Sequence, residues 1–255
     1  NVNVNGDANI AAGTQLTAHD VSVGGDLNAQ AQNITVTSVT GKGNAVLTAD
    51  KDVTVTGAFS AHNAELTAGE NMTLGGKTDV GGTLTTHVAH DLTANDAVTT
   101  GADFTAIVGD NAVTNGIVTT NGALKWNVGK DLTTNAAVLS HGTTTIDAQN
   151  VKLSADLMSD KNLTITAKNN IFTKEGTNLS TKADGRLKAH SAILDGDVRA
   201  DGMLTIETDD KLTANNITAG NATLKAGAEL SAKNVNVNGD ANIAAGTQLT
   251  AQNVT

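Results

Sequence analysis

The sequence contains no cysteine, no proline and no tyrosine, and only one Trp and three Phe occur among its 255 residues. The absence of cysteine excludes disulfide bridges and thiolate metal sites. Large rings normally fill part of a thick globular core, so an aromatic content of 2% predicts a thin core of Val, Leu, Ile and Ala. No apolar run reaches the roughly 18 residues that a transmembrane helix needs, and the sequence therefore predicts no transmembrane segment.

The sequence also lacks any block of basic residues. The formal net charge is −10, and the acidic residues are not collected into a tail. Nucleic-acid binding depends on a clustered positive surface that neutralises phosphates. The sequence therefore predicts no nucleic-acid partner.

Apolar residues recur in three short alternating runs within every stretch of about 19 residues. Counted from Gly6, Gly122 or Gly220, they fall at offsets 2, 4 and 6, then 10 and 12, then 15 and 17. We interpret Trp126, at offset 4, as a core residue between small side chains of adjacent turns. In the repeat that starts at Gly122, the predicted inward residues are Leu124, Trp126, Val128, Leu132, Thr134, Ala137 and Leu139.

Alternation with period two indicates strands that bury one face, and no stretch has the period of a helix. Gly, Asn, Asp and Lys at the breaks are predicted as corner residues that tolerate left-handed backbone geometry. Units this short become stable only by stacking. The sequence thus predicts an all-β fold, a three-sided parallel β-solenoid of 12 to 13 turns, right-handed like nearly all parallel crossovers. We expect one continuous solenoid over residues 1–255, with an irregular or enlarged corner at about 174–200.

Units such as "GDLNAQAQNITVTS", "GKDLTTNAAVLS" and "KNLTITAKNN" resemble the haemagglutinin repeats of filamentous haemagglutinin-type exoproteins. These proteins are the secreted partners of two-partner secretion systems, and they include adhesins and contact-dependent growth-inhibition toxins. The resemblance covers nearly the whole chain, but it consists of repeat length, strand pattern and composition rather than a sharp motif. The secretion domain of the family and a toxin or receptor-binding tip are not recognisable in the sequence.

The resemblance implies a right-handed parallel β-helix that forms a stalk on the surface of a Gram-negative bacterium. It also implies export through an outer-membrane β-barrel transporter, and it allows a host-cell glycan or receptor and neighbouring filaments as further partners. Our leading interpretation is a structural stalk segment, without enzymatic activity, cut from a longer array. Two alternatives remain open at this stage: a module that binds glycans or filaments directly, and a polysaccharide-degrading β-helix enzyme.

Three groups of residues are candidates for sites, and we assign no catalytic, cofactor-binding or metal-binding residue among them. Asp195, Asp197, Asp201, Asp209 and Asp210 form the densest acidic region, which we interpret as corner residues rather than as catalytic acids or a calcium site. His87, His90 and Asp91 have a spacing that suits a metal, but the pattern places His87 on a strand and His90 in a corner. The other histidines, which are not clustered, are His19, His62, His141 and His190.

A column of outward-facing threonine is predicted at offset 11, and its shape raises the possibility of an ice-binding face. Ice binding requires two parallel columns, however, and the flanking offsets point inward. We therefore interpret the column as exposed strand positions that favour a β-branched residue. Its members are Thr17, Thr35, Thr54, Thr73, Thr93, Thr133, Thr213 and Thr250.

The stretch "NVNVNGDANIAAGTQLTA" occurs twice, beginning at Asn1 and again at Asn234, and the two copies are identical at every letter. Folding constrains only the inward letters of such a turn, so identity at the outward letters points to recent duplication. We expect the parent protein to carry a tandem super-repeat, with a period equal to the separation of Asn1 from Asn234.

Overall fold

The computed structural model describes every residue from Asn1 to Thr255, and the chain forms short β-strands joined by tight corners, without any helix. It divides into two compact units, Asn1–Gly129 and Lys130–Thr255. The structure contains no helix that could cross a membrane.

The first unit contains the strands β1 (Val2–Val4), β2 (Ala8–Ala11), β3 (Gln15–Val23), β4 (Leu27–Ala31), β5 (Asn33–Gly41), β6 (Ala45–Ala49), β7 (Val53–Val55), β8 (Phe59–Ala61), β9 (Ala64–Ala68), β10 (Met72–Leu74), β11 (Thr78–Val80), β12 (Leu84–Val88), β13 (Leu92–Ala94), β14 (Val98–Thr100), β15 (Phe104–Val108), β16 (Ala112–Thr114), β17 (Val118–Thr120) and β18 (Leu124–Val128).

The second unit contains the strands β19 (Asp131–Thr134), β20 (Val138–Ser140), β21 (Thr144–Leu153), β22 (Leu157–Ser159), β23 (Leu163–Thr173), β24 (Asn178–Thr181), β25 (Gly185–Ala189), β26 (Ser191–Thr208), β27 (Leu212–Ala226), β28 (Glu229–Val237), β29 (Ala241–Ala245) and β30 (Gln248–Val254). The long strands, such as β26, pass around a corner and contribute to more than one side.

Each turn places one strand segment on each of three sides, and every segment pairs in parallel with those one turn before and after it. In the first unit β9, β10 and β11 lie on the first, second and third side, and they pair with β12, β13 and β14 of the next turn. Turn length varies slightly, since the turn that leads from Leu84 to its partner Phe104 is longer than the one from Leu27 to Ala45. The predicted parallel β-solenoid with about 19 residues per turn is confirmed, and the two units together contain about 13 turns.

The interior of each unit is lined by the alternate residues of the strands, mostly Val, Leu, Ile and Ala. Trp126 occupies the middle inward position of β18, where it is 2% exposed and pairs with the small residue Ala106. The edge of its ring meets Phe104, with ring centroids 5.8 Å apart and planes at 82°. The predicted core position of Trp126 is therefore confirmed.

The predicted register is wrong on the third side of the turn that starts at Gly122. There Val138 and Ser140 are buried, while Leu139 faces outward. The cause is one extra residue in the corner between the second and third sides. Val138 lies one position farther along the chain from Leu132 than Val21 lies from Leu16 in the first turn. Because strand faces alternate with period two, a single added residue exchanges the two faces.

The corners are made differently from the way the sequence suggested. No residue other than glycine has a positive φ, and among the glycines only Gly176 does, at 79°. The tolerance of Asn and Asp for left-handed geometry is therefore not what selects them at the corners. Many glycines are instead needed for close stacking, since a Cβ on Gly101 would overlap the backbone carbonyl of Gly81 one turn away.

The corner between the second and third sides is enlarged at Lys174–Thr177 in the second unit. The hydroxyl of Thr177 donates to the carbonyl of Lys174 at 2.7 Å and closes this loop around Gly176. The loop lengthens the turn that leads from Leu157 to its register partner Leu179. Beyond it, Asn178–Thr181 pairs in regular order with residues of β26, and a register shift follows between Leu194 and Asp197, so both irregularities lie within the range 174–200.

Candidate functional site

Asp and Asn side chains at the corners accept backbone hydrogen bonds from the neighbouring turn. The amide of Asp26 donates to Asp7 Oδ1 at 2.9 Å, and the amide of Asn44 donates to Asp26 Oδ1 at 2.7 Å. The backbone N–H of the residue before a first-side strand thus donates to a side chain one turn earlier in the chain. These carboxylates serve the fold, and this use explains why Asp and Asn recur at the same offset.

The five acids between Asp195 and Asp210 do not converge. They lie at all three corners of one turn: Asp195 and Asp197 before the third side, Asp201 after it, and Asp209 with Asp210 at the next corner. Asp197 accepts the side-chain amide of the residue one turn above it, and Asp201 accepts two bonds from an arginine. No group of three His, Asp or Glu side chains is arranged to hold a metal ion.

The histidines are dispersed, and three of them contact one carboxylate each. His19 Nδ1 lies 2.9 Å from Asp20, and hydrogen bonds from Ser38 and then His19 lower the pKa of that carboxyl. His90 Nδ1 lies 3.2 Å from Asp110, at a corner. The remaining contact, made by His141, belongs to the grooves described below. As predicted, His87 faces outward from β12, and His62, His90 and His190 lie at corners.

The predicted threonine column is confirmed as an outward-facing set on the second side. In the first unit Thr17, Thr35, Thr54, Thr73 and Thr93 pair in register from turn to turn. In the second unit the corresponding column is interrupted between Thr133 and Thr213 by three other residues, which are Lys152, Phe172 and Ile193. A single, interrupted column does not supply the two parallel threonine rows of an ice-binding face.

The surface that stands out is the third side of the second unit, where two grooves flank one outward column. The column consists of Leu139, Met158, Ser180 and Arg199, which are register partners in successive turns. The groove toward the first side has a volume of about 450 Å³, and the groove toward the second side about 390 Å³. Met158, Ser180 and Arg199 line both, and the short Ser180 side chain forms a notch between its two long neighbours.

The outer wall of the larger groove is a column in which basic and acidic residue types alternate, each placed directly after a third-side strand segment. His141 Nδ1 lies 2.8 Å from Asp160 Oδ2, and Lys182 Nζ lies 2.6 Å from Asp160 Oδ1. These hydrogen bonds, first from His141 and then from Lys182, lower the pKa of the Asp160 carboxyl. Asp201 continues the wall and accepts the Arg199 guanidinium at 2.8 Å.

The smaller groove adjoins the enlarged corner at Lys174–Thr177. Its wall contains Asn178, Asp197 and Asn216, and the loop Lys174–Thr177 ends directly before Asn178. Asn178 is held by Asp156, whose Oδ1 accepts both its backbone amide and its side-chain amide. Loops carried by a rigid scaffold are where binding residues concentrate.

Sequence reasoning missed both grooves. It singles out none of Asp160, Lys182, Met158, Ser180 and Arg199, and it treats His141 only as a dispersed histidine. The available signal is the recurrence of an ionisable residue type after four successive third-side segments, at His141, Asp160, Lys182 and Asp201, but it depends on the register being correct through the long turn from Leu157 to Leu179. A uniform period of about 19 residues loses that register at the enlarged corner.

No protein-family model matches the chain, and neither a curated protein nor a solved structure matches it significantly.

Proposed function

We propose that the chain is a structural stalk segment of a large secreted bacterial surface protein of the filamentous haemagglutinin type, either an adhesin or a toxin-delivery filament. In this role it holds a distal binding or effector domain away from the cell, and it performs no catalysis itself. The proposal includes export through an outer-membrane β-barrel transporter and a location on the surface of a Gram-negative bacterium.

The main support is that successive turns are joined along all three sides and also at the corners. Parallel backbone pairing joins successive turns, and Asp and Asn side chains such as Asp26 and Asn63 bond across the corners. Such a stack depends on contacts between neighbouring turns only, so its length is set by the number of turns. Repeat length and strand pattern add the family resemblance.

A whole-turn deletion tests this property directly. Residues 82–101 comprise one complete turn of the first unit, and their removal lets Phe104 take the place of Leu84 above Ala64. We expect the shortened chain to fold cooperatively and small-angle X-ray scattering to show an elongated particle shorter by about 4.8 Å. The control deletion removes residues 82–91 only, which breaks the three-side register and should prevent cooperative folding.

The stalk function requires an extended particle rather than a globule, since each turn adds about 4.8 Å at the usual strand spacing. Scattering from the intact chain that fits a compact sphere would overturn the proposal, and so would equal tolerance of the two deletions.

A further inference from the structure

We propose that the third side of the second unit is a binding site for an uncharged oligosaccharide, which lies across the two grooves and contacts the notch at Ser180. This site goes beyond the stalk function and does not depend on it. A stalk can lack the site, and the site can act without a stalk, so the two proposals fail separately.

The charges of the larger groove are paired within the protein, which favours a neutral ligand. Asp160 is neutralised by Lys182 and touched by His141, and Asp201 is neutralised by Arg199. An anion would face two carboxylates, and the chain as a whole carries a net charge of −10. A cation would meet Lys182 and Arg199. Neither sign of charge is favoured by this wall.

The same pairs leave many hydrogen-bonding groups available to a ligand. The Arg199 guanidinium has five N–H donors, of which the contact with Asp201 occupies two, and the Lys182 ammonium retains two of three. Each carboxylate oxygen of Asp160 has a second lone pair to offer. A surface that presents donors and acceptors side by side matches vicinal hydroxyl groups, since each hydroxyl both donates and accepts.

An apolar contact is present beside these polar groups. Met158 is 40% exposed on the column, and it lines both grooves, while Leu139 lines the larger one. The C–H face of a sugar ring can pack on such side chains, and methionine adapts readily to irregular shapes. The four-turn column from Leu139 to Arg199 extends for about 14 Å, which suits a short oligosaccharide rather than a single ring.

The backbone of the site is preformed, because Ser180 and Arg199 belong to strand segments that pair in regular order. The side chains of Lys182 and Arg199 are more than half exposed, so their ion pairs hold them only weakly. A ligand therefore loses little affinity to ordering of the backbone. Without an aromatic stacking partner we expect weak affinity, with a Kd on the order of 1 mM.

The test uses the full 255-residue chain and trisaccharide probes, with binding followed by saturation-transfer difference and chemical-shift titration by NMR. The neutral probes are maltotriose and tri-N-acetylchitotriose, and the charged probe is a galacturonic acid trimer. We expect a neutral trisaccharide to bind, with shifts concentrated at Met158, Ser180 and Arg199. Because no net charge is involved, its affinity should not change with salt.

Two variants locate the site, and each has a matched control on the first side of the same unit. Ser180→Arg fills the notch, and its control is Thr164→Arg at an outward strand position. Arg199→Gln removes the guanidinium paired with Asp201, and its control is Arg186→Gln, whose guanidinium pairs with Glu207 at 2.7 Å. We expect at least a tenfold loss of affinity in both site variants and none in the controls.

Folding of each variant is checked by its thermal midpoint, since all four positions face outward. The proposal is overturned if neither neutral trisaccharide binds, if only the galacturonic acid trimer binds, or if site and control variants lose affinity equally. None of these outcomes bears on the deletion and scattering tests of the stalk function.

Discussion

The side-chain amide of Asn216 donates to Asp197 Oδ1 at 2.6 Å, although the two residues are 19 positions apart in the chain. Asn216 Oδ1 in turn accepts the amide of Asn234 at 2.6 Å, and Asn234 accepts that of Asn253 at 2.7 Å. The start of the third side thus carries a ladder of amides that links four successive turns. The ladder ends on a carboxylate, which accepts without needing to donate.

Replacement of Asn216 by alanine should destabilise the second unit, because it removes a bond to Asp197 and a bond from Asn234. A net contribution near 1 kcal/mol per hydrogen bond predicts a loss of about 1–2 kcal/mol in the free energy of unfolding. Urea unfolding followed by circular dichroism measures it. The control is Asn236→Ala, since the side chain of Asn236 is exposed and makes no hydrogen bond; its effect should stay within about 0.5 kcal/mol.

A second substitution separates the hydrogen bonds from simple loss of the side chain. Asn216→Asp retains the shape but places two carboxylates side by side, and like charges this close disfavour each other's ionisation. We expect this variant to be less stable than Asn216→Ala at neutral pH and to recover as the pH falls. Equal stability of the two variants at all pH values would contradict the ladder.

Gly81 and Gly101 occupy the same corner in consecutive turns but tolerate a methyl group differently. A Cβ on Gly101 overlaps the carbonyl of Gly81, whereas a Cβ on Gly81 has its nearest neighbour, His62 Nδ1, at 3.7 Å. Gly101→Ala should therefore force the corner apart and cost about 1–3 kcal/mol of unfolding free energy. Gly81→Ala should be neutral or stabilising by about 0.4–1 kcal/mol, because it restricts the unfolded chain.

Thermal unfolding of the two alanine variants against the parent chain measures this difference. Neither glycine has a positive φ, so backbone conformation does not explain a difference between them. Comparable losses in both variants would show that the close approach of the turns is not what selects glycine at Gly101.

The repeat and its inward positions were predictable from the sequence wherever the turn length stayed close to its average. Trp126 is an example, because its place depends only on alternation within one strand. Prediction failed at Ala137 and Leu139, where one added corner residue exchanged the two faces of the strand. Alternation within a strand is a local property, whereas corner length is not visible in the hydrophobic pattern, since corner residues are exposed in either case.

The grooves escaped prediction for a related reason. The separation of Asp160 from Lys182 along the chain is larger than that of His141 from Asp160, so no fixed period brings all three together. Their contact follows from strand pairing around the enlarged corner at Lys174–Thr177. Surface features of a solenoid combine residues from several turns, and an error in register at one turn therefore removes the whole site from view.

Acid should weaken the second unit partly through Asp160. Hydrogen bonds from His141 and Lys182 lower the pKa of Asp160 below its ordinary value of 3.8 in the folded state. A lowered pKa means that the ionised carboxylate stabilises the fold above pH 3.8, and that this contribution disappears as the pH falls through the lower folded value. The stability difference between the parent chain and Asp160→Asn should follow the same course.

Urea unfolding at a series of acidic pH values tests this expectation. Asp147→Asn is the matched control, since Asp147 faces outward on the first side and takes part in no ion pair. We expect the Asp160→Asn difference to shrink toward zero in acid and the Asp147→Asn difference to change less. An Asp160→Asn difference that is independent of pH would contradict the role of these bonds.

Substitutions of Trp126 separate the contribution that its ring volume makes to the unfolding free energy from the contribution of its indole N–H. Its side chain is buried, and its Nε1–H has no hydrogen-bond partner, which carries a cost that an apolar ring avoids. Trp126→Ala should lower the unfolding free energy by about 3–5 kcal/mol, because it leaves a cavity beside Phe104. Trp126→Phe retains a ring at the same place and removes the unpaired donor.

The phenylalanine variant should therefore lose far less stability than the alanine variant, by a margin that urea unfolding resolves easily. The lost ring volume and the relieved N–H act in opposite directions, so a net change of less than about 1.5 kcal/mol is expected. If Trp126→Phe were as damaging as Trp126→Ala, the indole nitrogen would have to be bonded in solution. Nε1 would then contribute to the stability of the first unit instead of reducing it.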